Sequence, residues 1–600
     1  MKISGRWMAA PWVVFLLLIL ASPLRAATSG QSSASNSKNS DGPAELPREY
    51  AKSSLKDTPA GGKTWMVRSG ENLELVLASA SCGDIIQLQA GATFSGKFVV
   101  PAKSCDDSHW IIIRTSAPDS SLPPEGTRLT PCYAGVSSLA GRPQWNCAST
   151  ANVLARIEFN GNGGSGPLIF PIGANHYRLI GLEVTRPASS AAVYDLIEFD
   201  GPADHLVFDR LWIHGTAQSD TVRGIFLGPS RYVAVVDSSF TDFHCVAKSS
   251  PCGDTQAING GIGAGPMGPY KIVNNFLEAA GENILFGGGG ATMTPKDIEI
   301  RHNHMFKPLT WMKGQAGFVG GTDGNPFIVK NLFELKNAQR VLLEGNIMEN
   351  SWGGFTQVGF AILLTPKNPG GTTPCATCQV TDVTIRYNSI SHVGAGLQIA
   401  NALANNITPG VDGQRYSIHD IIIDDIDGVK YNGTSDFAQV SVQAGEPLLQ
   451  NVTINHVTAF PSHTLFLIGD MVATSGQMKN FVFTNSIVNA GIYPVWSIGG
   501  GPANCAFHES PLTTFTACFS SSAFAANAII AAPPANPAAA WPPKNFFPTS
   551  AAAIRFVNYK GGNGGDYHLQ SSSPYKGKGT DGKDLGADVD AVRSATAGVE

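Results

Sequence analysis

The 600-residue sequence predicts an all-β fold, a parallel β-helix solenoid with an N-terminal capping helix, and three observations carry that reading. A six-residue segment with apolar ends and Asn at its fourth position recurs at residues 272–277, 300–305, 343–348 and 385–390. Weaker copies lie at 235–238, 423–426, 454–457 and 483–486, at unequal spacings that suit a solenoid with loops of different lengths. A second set of short apolar runs, at 196–199, 225–227, 284–286, 332–335, 360–364 and 466–468, alternates with the first and ends at Gly, Asn or Pro. Helical periodicity is almost absent between them, so each repeat supplies two or three short strands of period two.

The elements follow in order. Lys2 and Arg6 precede an apolar run and then Ala26-Ala27, the pattern of a secretory signal peptide over 1–26. Residues 27–60, rich in Ser, Lys, Gly and Pro, read as a flexible linker. Residues 61–500 form the solenoid, opened by a helix within 71–80 that covers its first coil. Residues 501–600 read as a C-terminal closing segment. The Asn column, Asn275, Asn303, Asn346 and Asn388, reads as an internal hydrogen-bonded ladder at one turn, where Asn also tolerates left-handed backbone.

Composition narrows the function. The net charge is −5 and charged residues are 14% of the chain, which excludes a strongly basic nucleic-acid binder and a highly charged disordered chain. Ten cysteines fall into neighbouring pairs, which in an exported protein suggests local disulfides, with connectivity left open. The chain is expected to be a secreted or periplasmic monomer, free of the membrane after signal cleavage.

The helix, the stretch GDIIQLQAGATFSGKF at 83–98 and the Asn column resemble the secreted pectin-lyase-like superfamily of right-handed parallel β-helices. That resemblance implies the fold and a carbohydrate-active class. Residues 333–346, FELKNAQRVLLEGN, resemble the strand of the chondroitinase B and alginate lyase family that carries a catalytic Lys before an Asn repeat. The resemblance implies Lys336 as base and Glu334 as a calcium-side carboxylate.

Period two turns Glu334 and Lys336 outward together if Phe333 and Leu335 point inward. A β-eliminating lyase must neutralise a uronate carboxylate, remove its C5 proton and protonate the leaving oxygen. The column Val273, Arg301, Glu344, Arg386, Asp424 reads as an outward charged strip, in which Arg301 or Arg386 would neutralise substrate carboxylates. The same strip also reads as a surface ion-pair network. Glu278, Glu282 and Asn283 offer oxygen ligands for calcium, or turn hydrogen bonds. Loops 244–269, 308–328 and 366–381 would wall a groove that takes an acidic polysaccharide. A hydrolase is the alternative, with Asp424, Asp425, Asp427 and the Gly321-Thr322-Asp323-Gly324 segment, similar to a polygalacturonase strand, as its carboxylates. A non-catalytic glycan-binding or adhesion protein is the other.

Overall fold

The structure, a computed structural model, describes residues 39–600 except 248–251, 368–376, 402–412, 444–445, 470–475 and 499–503. The expected signal peptide, residues 27–38 of the expected linker, and Cys375 lie outside the described residues.

Parallel strands stack in three columns. One coil reads Tyr270–Val273 in the first column, Phe276–Ala279 in the second and Glu282–Phe286 in the third, and the next coil starts at Lys296–Arg301. The third column is a separate twelve-stranded sheet. The first two merge into one sheet because Gly413–Ile423 and Gln450–Ala459 pass from one to the other without a break. Parallel crossovers of this kind are right-handed. The expected parallel β-helix is therefore the fold, and the apolar runs at 284–286, 332–335, 360–364 and 466–468 are its third-sheet strands.

Period two fills the interior. Ile197, Ile225, Ile258, Ile284, Phe333, Ile362 and Leu397 stack in register along the third sheet, and all are at most 1% exposed. Helix Leu73–Ser79 buries Leu73 and Leu77 in the same core, and the Asn72 side chain caps its start by accepting from the Leu75 N–H. At the other end Trp541 packs on Phe524 and Phe547.

The Asn ladder forms as expected. Asn275 donates its N–H and its amide to Asn303 Oδ1, each at 3.0 Å; Asn303 does the same to Asn346, and Asn346 to Asn388. Ser238 and Asn527 extend the motif towards the two ends. The left-handed residue of each turn is the one before the ladder position, namely Asp237, Asn274, His302, Gly345 and Tyr387. Only at Gly345 is that residue forced by contact, since a Cβ there would lie 2.6 Å from Ala595 O.

Residues 39–60 belong to the body of the protein. The hairpin Ser40–Asp41 with Ala44–Glu45 lies against the first column, and Arg48 N donates to Asp297 at 2.8 Å. Residues 556–599 do not sit over the last coil. They fold back along the solenoid's side, where Tyr567 reaches Asp424, the Thr580 N–H reaches Asn485, and Val599 O accepts from Arg128. The neighbouring cysteines pair as 82–105, 132–147, 245–252 and 505–518, and Cys378 is also disulfide-bonded.

Candidate functional site on the third sheet

The densest arrangement of ionisable side chains stands on the outward face of the third sheet, and a bend in its strands creates it. Asn283 and Ile284 both point inward: the Asn283 amide donates to Leu277 O and Phe306 O, and Ile284 joins the core. The residue before this pair, Glu282, is thereby turned outward. Leu196 and Ile197 repeat the pattern and turn out Asp195 and Glu198.

Asp195, Arg223, Gln256 and Glu282 then align across four coils. Arg223 pairs with Asp195 at 2.8 Å and donates to Gln256, and Gln256 donates to Glu282 at 2.8 Å. One coil further, Phe333 and Leu335 point inward, so Glu334 and Lys336 stand outward together as expected, paired at 3.0 Å. Gly287, at φ +103°, makes room for this lysine, because a Cβ there would lie 2.8 Å from Lys336 Cβ.

Glu282 and Glu334 are electrostatically coupled, and the coupling shifts them in opposite directions. Burial and the Glu334 charge push Glu282 up to about 7. Glu334 is also buried, but Lys336 and Lys330 overcome that and hold it below the ordinary carboxylate range. Burial alone would lower Lys336; the two carboxylates outweigh it and keep the ammonium protonated. Lys367 moves the opposite way, lowered by burial and by the Lys336 charge. Its backbone N–H donates to Lys336 O at 3.2 Å.

The first and third of the loops expected to wall a groove each bring one charge here, and Lys330 follows just after the second. Asp254 and Lys330 form an ion pair, Lys330 also reaches Glu282 at 3.4 Å, and Lys367 begins the third loop. Behind the bend lies Lys307, fully buried, donating to the carbonyls of Ala279, Gly281 and Asn331. Burial lowers it to about 7 against the pull of Glu282 and Glu278.

Sequence reasoning placed Glu334 and Lys336 correctly side by side but attached the wrong partners. Arg301 and Arg386 are on the first sheet, not on this face. Arg301 pairs with Glu299 and Glu344, and Arg386 with Glu344 at 2.6 Å and Asp41 at 2.7 Å. The strip is thus an ion-pair network covered by the N-terminal hairpin. Its next member is His419 rather than Asp424, because Ile422 and Ile423 pair with second-column residues. Lys336, expected as the base, is held protonated instead, since the carboxylates raise it.

The three residues offered to calcium do not converge. Both Glu278 oxygens bind Arg142 at 2.7 Å, the Asn283 amide nitrogen is spent on carbonyls, and its Oδ1 faces the Lys307 ammonium at 3.4 Å. Calcium takes six to eight oxygen ligands, so this set does not fit it. The hydrolase carboxylates are also engaged: Asp424 accepts from Tyr567 and Gly564, Asp425 from Lys430 and Tyr431, and Asp323 and Asp427 close their own turns. Lys367 and Lys307 were missed because they follow a strand by three residues and by one, and repeat no pattern.

No family model matches the chain, and no curated protein does. Among solved structures it is similar to pectate lyase Pel9A, at 11% identity and a TM-score of 0.36 over 89% of this chain and 97% of that one. The PL6 family alginate lyase AlyGC matches at 11% identity and 0.39, over 88% of this chain and 58% of that one. The Yersinia enterocolitica family 28 exopolygalacturonase matches at 14% identity and 0.28, over 71% and 73%. The likeness is one of fold.

Proposed function

We propose that this is an exported polysaccharide lyase that cleaves a uronate-containing polysaccharide by β-elimination on the outward face of the third sheet. One observation carries the reading: two neighbouring lysines, Lys336 and Lys367, are shifted in opposite directions, Lys336 up by two buried carboxylates and Lys367 down by burial and by the Lys336 charge. Groups whose environments drive their pKa values apart divide acid and base roles between them.

The Lys336 ammonium, held charged by Glu334 and Glu282 and 12% exposed, neutralises the uronate carboxylate and so acidifies the adjacent C5–H. Lys367, with its lowered pKa, takes that proton. The C5–H electron pair forms the C4=C5 double bond, the bond from C4 to its oxygen breaks, and the departing oxygen takes a proton from Lys330 or water. Glu282 and Glu334 are positioning residues that hold Lys336 charged, and the Lys336 charge in turn lowers Lys367.

The test is ultraviolet absorbance of the unsaturated uronate, with the full chain on a panel of polyuronates. Lys367→Met is expected to lower kcat about 10²–10⁴-fold with KM nearly unchanged. Lys336→Met should act mainly through weaker carboxylate handling. A signal that survives Lys367→Met overturns the base assignment. Reducing ends without absorbance would favour a hydrolase, and binding without either product an adhesion protein.

A further inference from the structure

A second constellation, on the first column near the N-terminal end, is built from residues in no part of the site above. His176 and His205 occupy successive coils and stack face to face, with ring centroids 4.6 Å apart. Trp110 packs edge-on to His176, and Tyr232 stacks on the far side of His205 at 4.6 Å, so both rings are clamped. Asp107 comes from a loop tied down by the Cys82–Cys105 disulfide, and its Oδ1 stands 3.2 Å from His176 Nε2 and 3.9 Å from His205 Nε2.

The outer hydrogen bonds decide what these three atoms want. Asn175 donates its amide to Lys103 O and Gly173 O, which turns its Oδ1 to His176 Nδ1 at 2.8 Å. The Asp204 carboxylate meets His205 Nδ1 at 3.1 Å. Both Nδ1 atoms face acceptors and therefore carry the ring protons. In the neutral rings each Nε2 then presents a lone pair, and both point at a carboxylate oxygen that offers further lone pairs. In that tautomer three electron-pair donors converge, an arrangement that a cation satisfies and that an imidazolium donating to Asp107 would replace.

We infer that Asp107, His176 and His205 form a binding site for a divalent transition metal, of which zinc fits the donor set best. Two imidazoles and one carboxylate with an open fourth position is a zinc arrangement. At metal–ligand distances of about 2.0–2.1 Å a tetrahedron has edges of about 3.3 Å; Asp107 stands 3.2 and 3.9 Å from the two imidazoles and all three donor atoms lie within 4.8 Å of one another, so the two near-parallel rings tilt towards each other to share the ion. Asn175 and Asp204 act as the outer partners that fix tautomer and aim. Asp107 and Asp204 together balance the ion's charge. The site borders a cavity of about 450 Å³ lined by Tyr50, Lys52 and Trp110, which leaves room for water or an anionic ligand in the fourth position. The other close Asp/Cys cluster among the described residues, Asp220 with Cys245 and Cys252, has its sulfurs committed to a disulfide.

The experiment is calorimetric titration of the chelator-stripped full chain with Zn²⁺, together with the visible absorption of bound Co²⁺. One saturable ion per chain with a tetrahedral Co²⁺ spectrum is expected. His205→Ala and His176→Ala should weaken Zn²⁺ at least 100-fold, and Asp204→Asn about 10–100-fold. Asp107→Ala, whose side chain is 73% exposed, cannot disturb the core and should still lower affinity and alter the Co²⁺ spectrum. Absence of saturable Zn²⁺ binding, or binding unchanged in both Asp107→Ala and His205→Ala, would overturn the assignment.

Discussion

Glu282→Gln separates the electrostatic cost of the third-sheet site from its packing. Glu282 has a pKa pushed by burial and by Glu334 from the usual 4.5 to about 7. The folded chain therefore binds a proton there that the unfolded chain releases, and stability falls as pH rises from about 4.5 through 7. That difference amounts to about 3 kcal/mol by pH 8. A glutamine keeps the bond from Gln256, which its side-chain oxygen can accept, and brings no charge to repel Glu334. The variant should match the wild type near pH 4.5 and exceed it by up to about 3 kcal/mol at pH 8. With an unfolding entropy of about 2.1 cal/mol/K per residue over residues 39–600, roughly 1.2 kcal/mol/K in all, the gain is about 2–3 °C. Scanning calorimetry at the two pH values measures it. A midpoint difference that does not change with pH would refute the proposed proton on Glu282. Glu334→Gln should remove the same penalty from the other side, by letting Glu282 ionise more easily.

Other parts of the fold allow equally direct tests. Asn346→Ala removes an acceptor of two Asn303 bonds and a donor to Asn388, at about 3 kcal/mol or more, so the urea midpoint should fall clearly. Arg142→Ala strands a wholly buried Glu278 at about 3–5 kcal/mol, and adding Glu278→Gln should recover part of the lost melting temperature. His419 is raised to about 9 because Asp41 and Asp420 outweigh its burial, while Asp41 is lowered to about 2, chiefly by His419 against its own burial. The His419 contribution is complete below pH 6.5 and disappears as pH rises through about 9; the Asp41 contribution is complete above 3.8 and disappears as pH falls through about 2. Limited proteolysis should therefore release the hairpin at residues 40–45 faster above pH 9, and Asp41→Asn should show that release at neutral pH.

The solenoid was legible because its determinants are local and repeated. An Asn that donates to the next coil has to recur, and a strand with one buried face has to alternate. Register was legible only while the turn kept its length. At residues 413–423 the strand runs through the bend, the Asn position vanishes, and the apolar pair at 422–423 imitates a first-column repeat from the second column. Asp424 was drawn into the charged strip by that imitation. The covering of Arg386 was not legible at all, since Asp41 approaches from 345 residues away out of a stretch whose composition reads as linker.

The site shows where such reading stops. Glu334 and Lys336 are two apart on one strand, so period two places them together. Glu282 and Glu334 are 52 residues apart, and their coupling depends on an inward pair at Asn283 and Ile284 that breaks period two. His176 and His205 were equally hidden, although their 29-residue spacing is one coil and sets Asp204 beside Asn175 in register. Both clusters arise where side chains from successive coils meet with more charge or more lone pairs than the stack can balance alone. On the third sheet the imbalance is resolved by keeping Glu282 protonated, at a cost that grows with pH. On the first column two imidazoles share one carboxylate oxygen, which is why a metal ion is the expected partner there and an acidic polysaccharide the expected partner of the lysines.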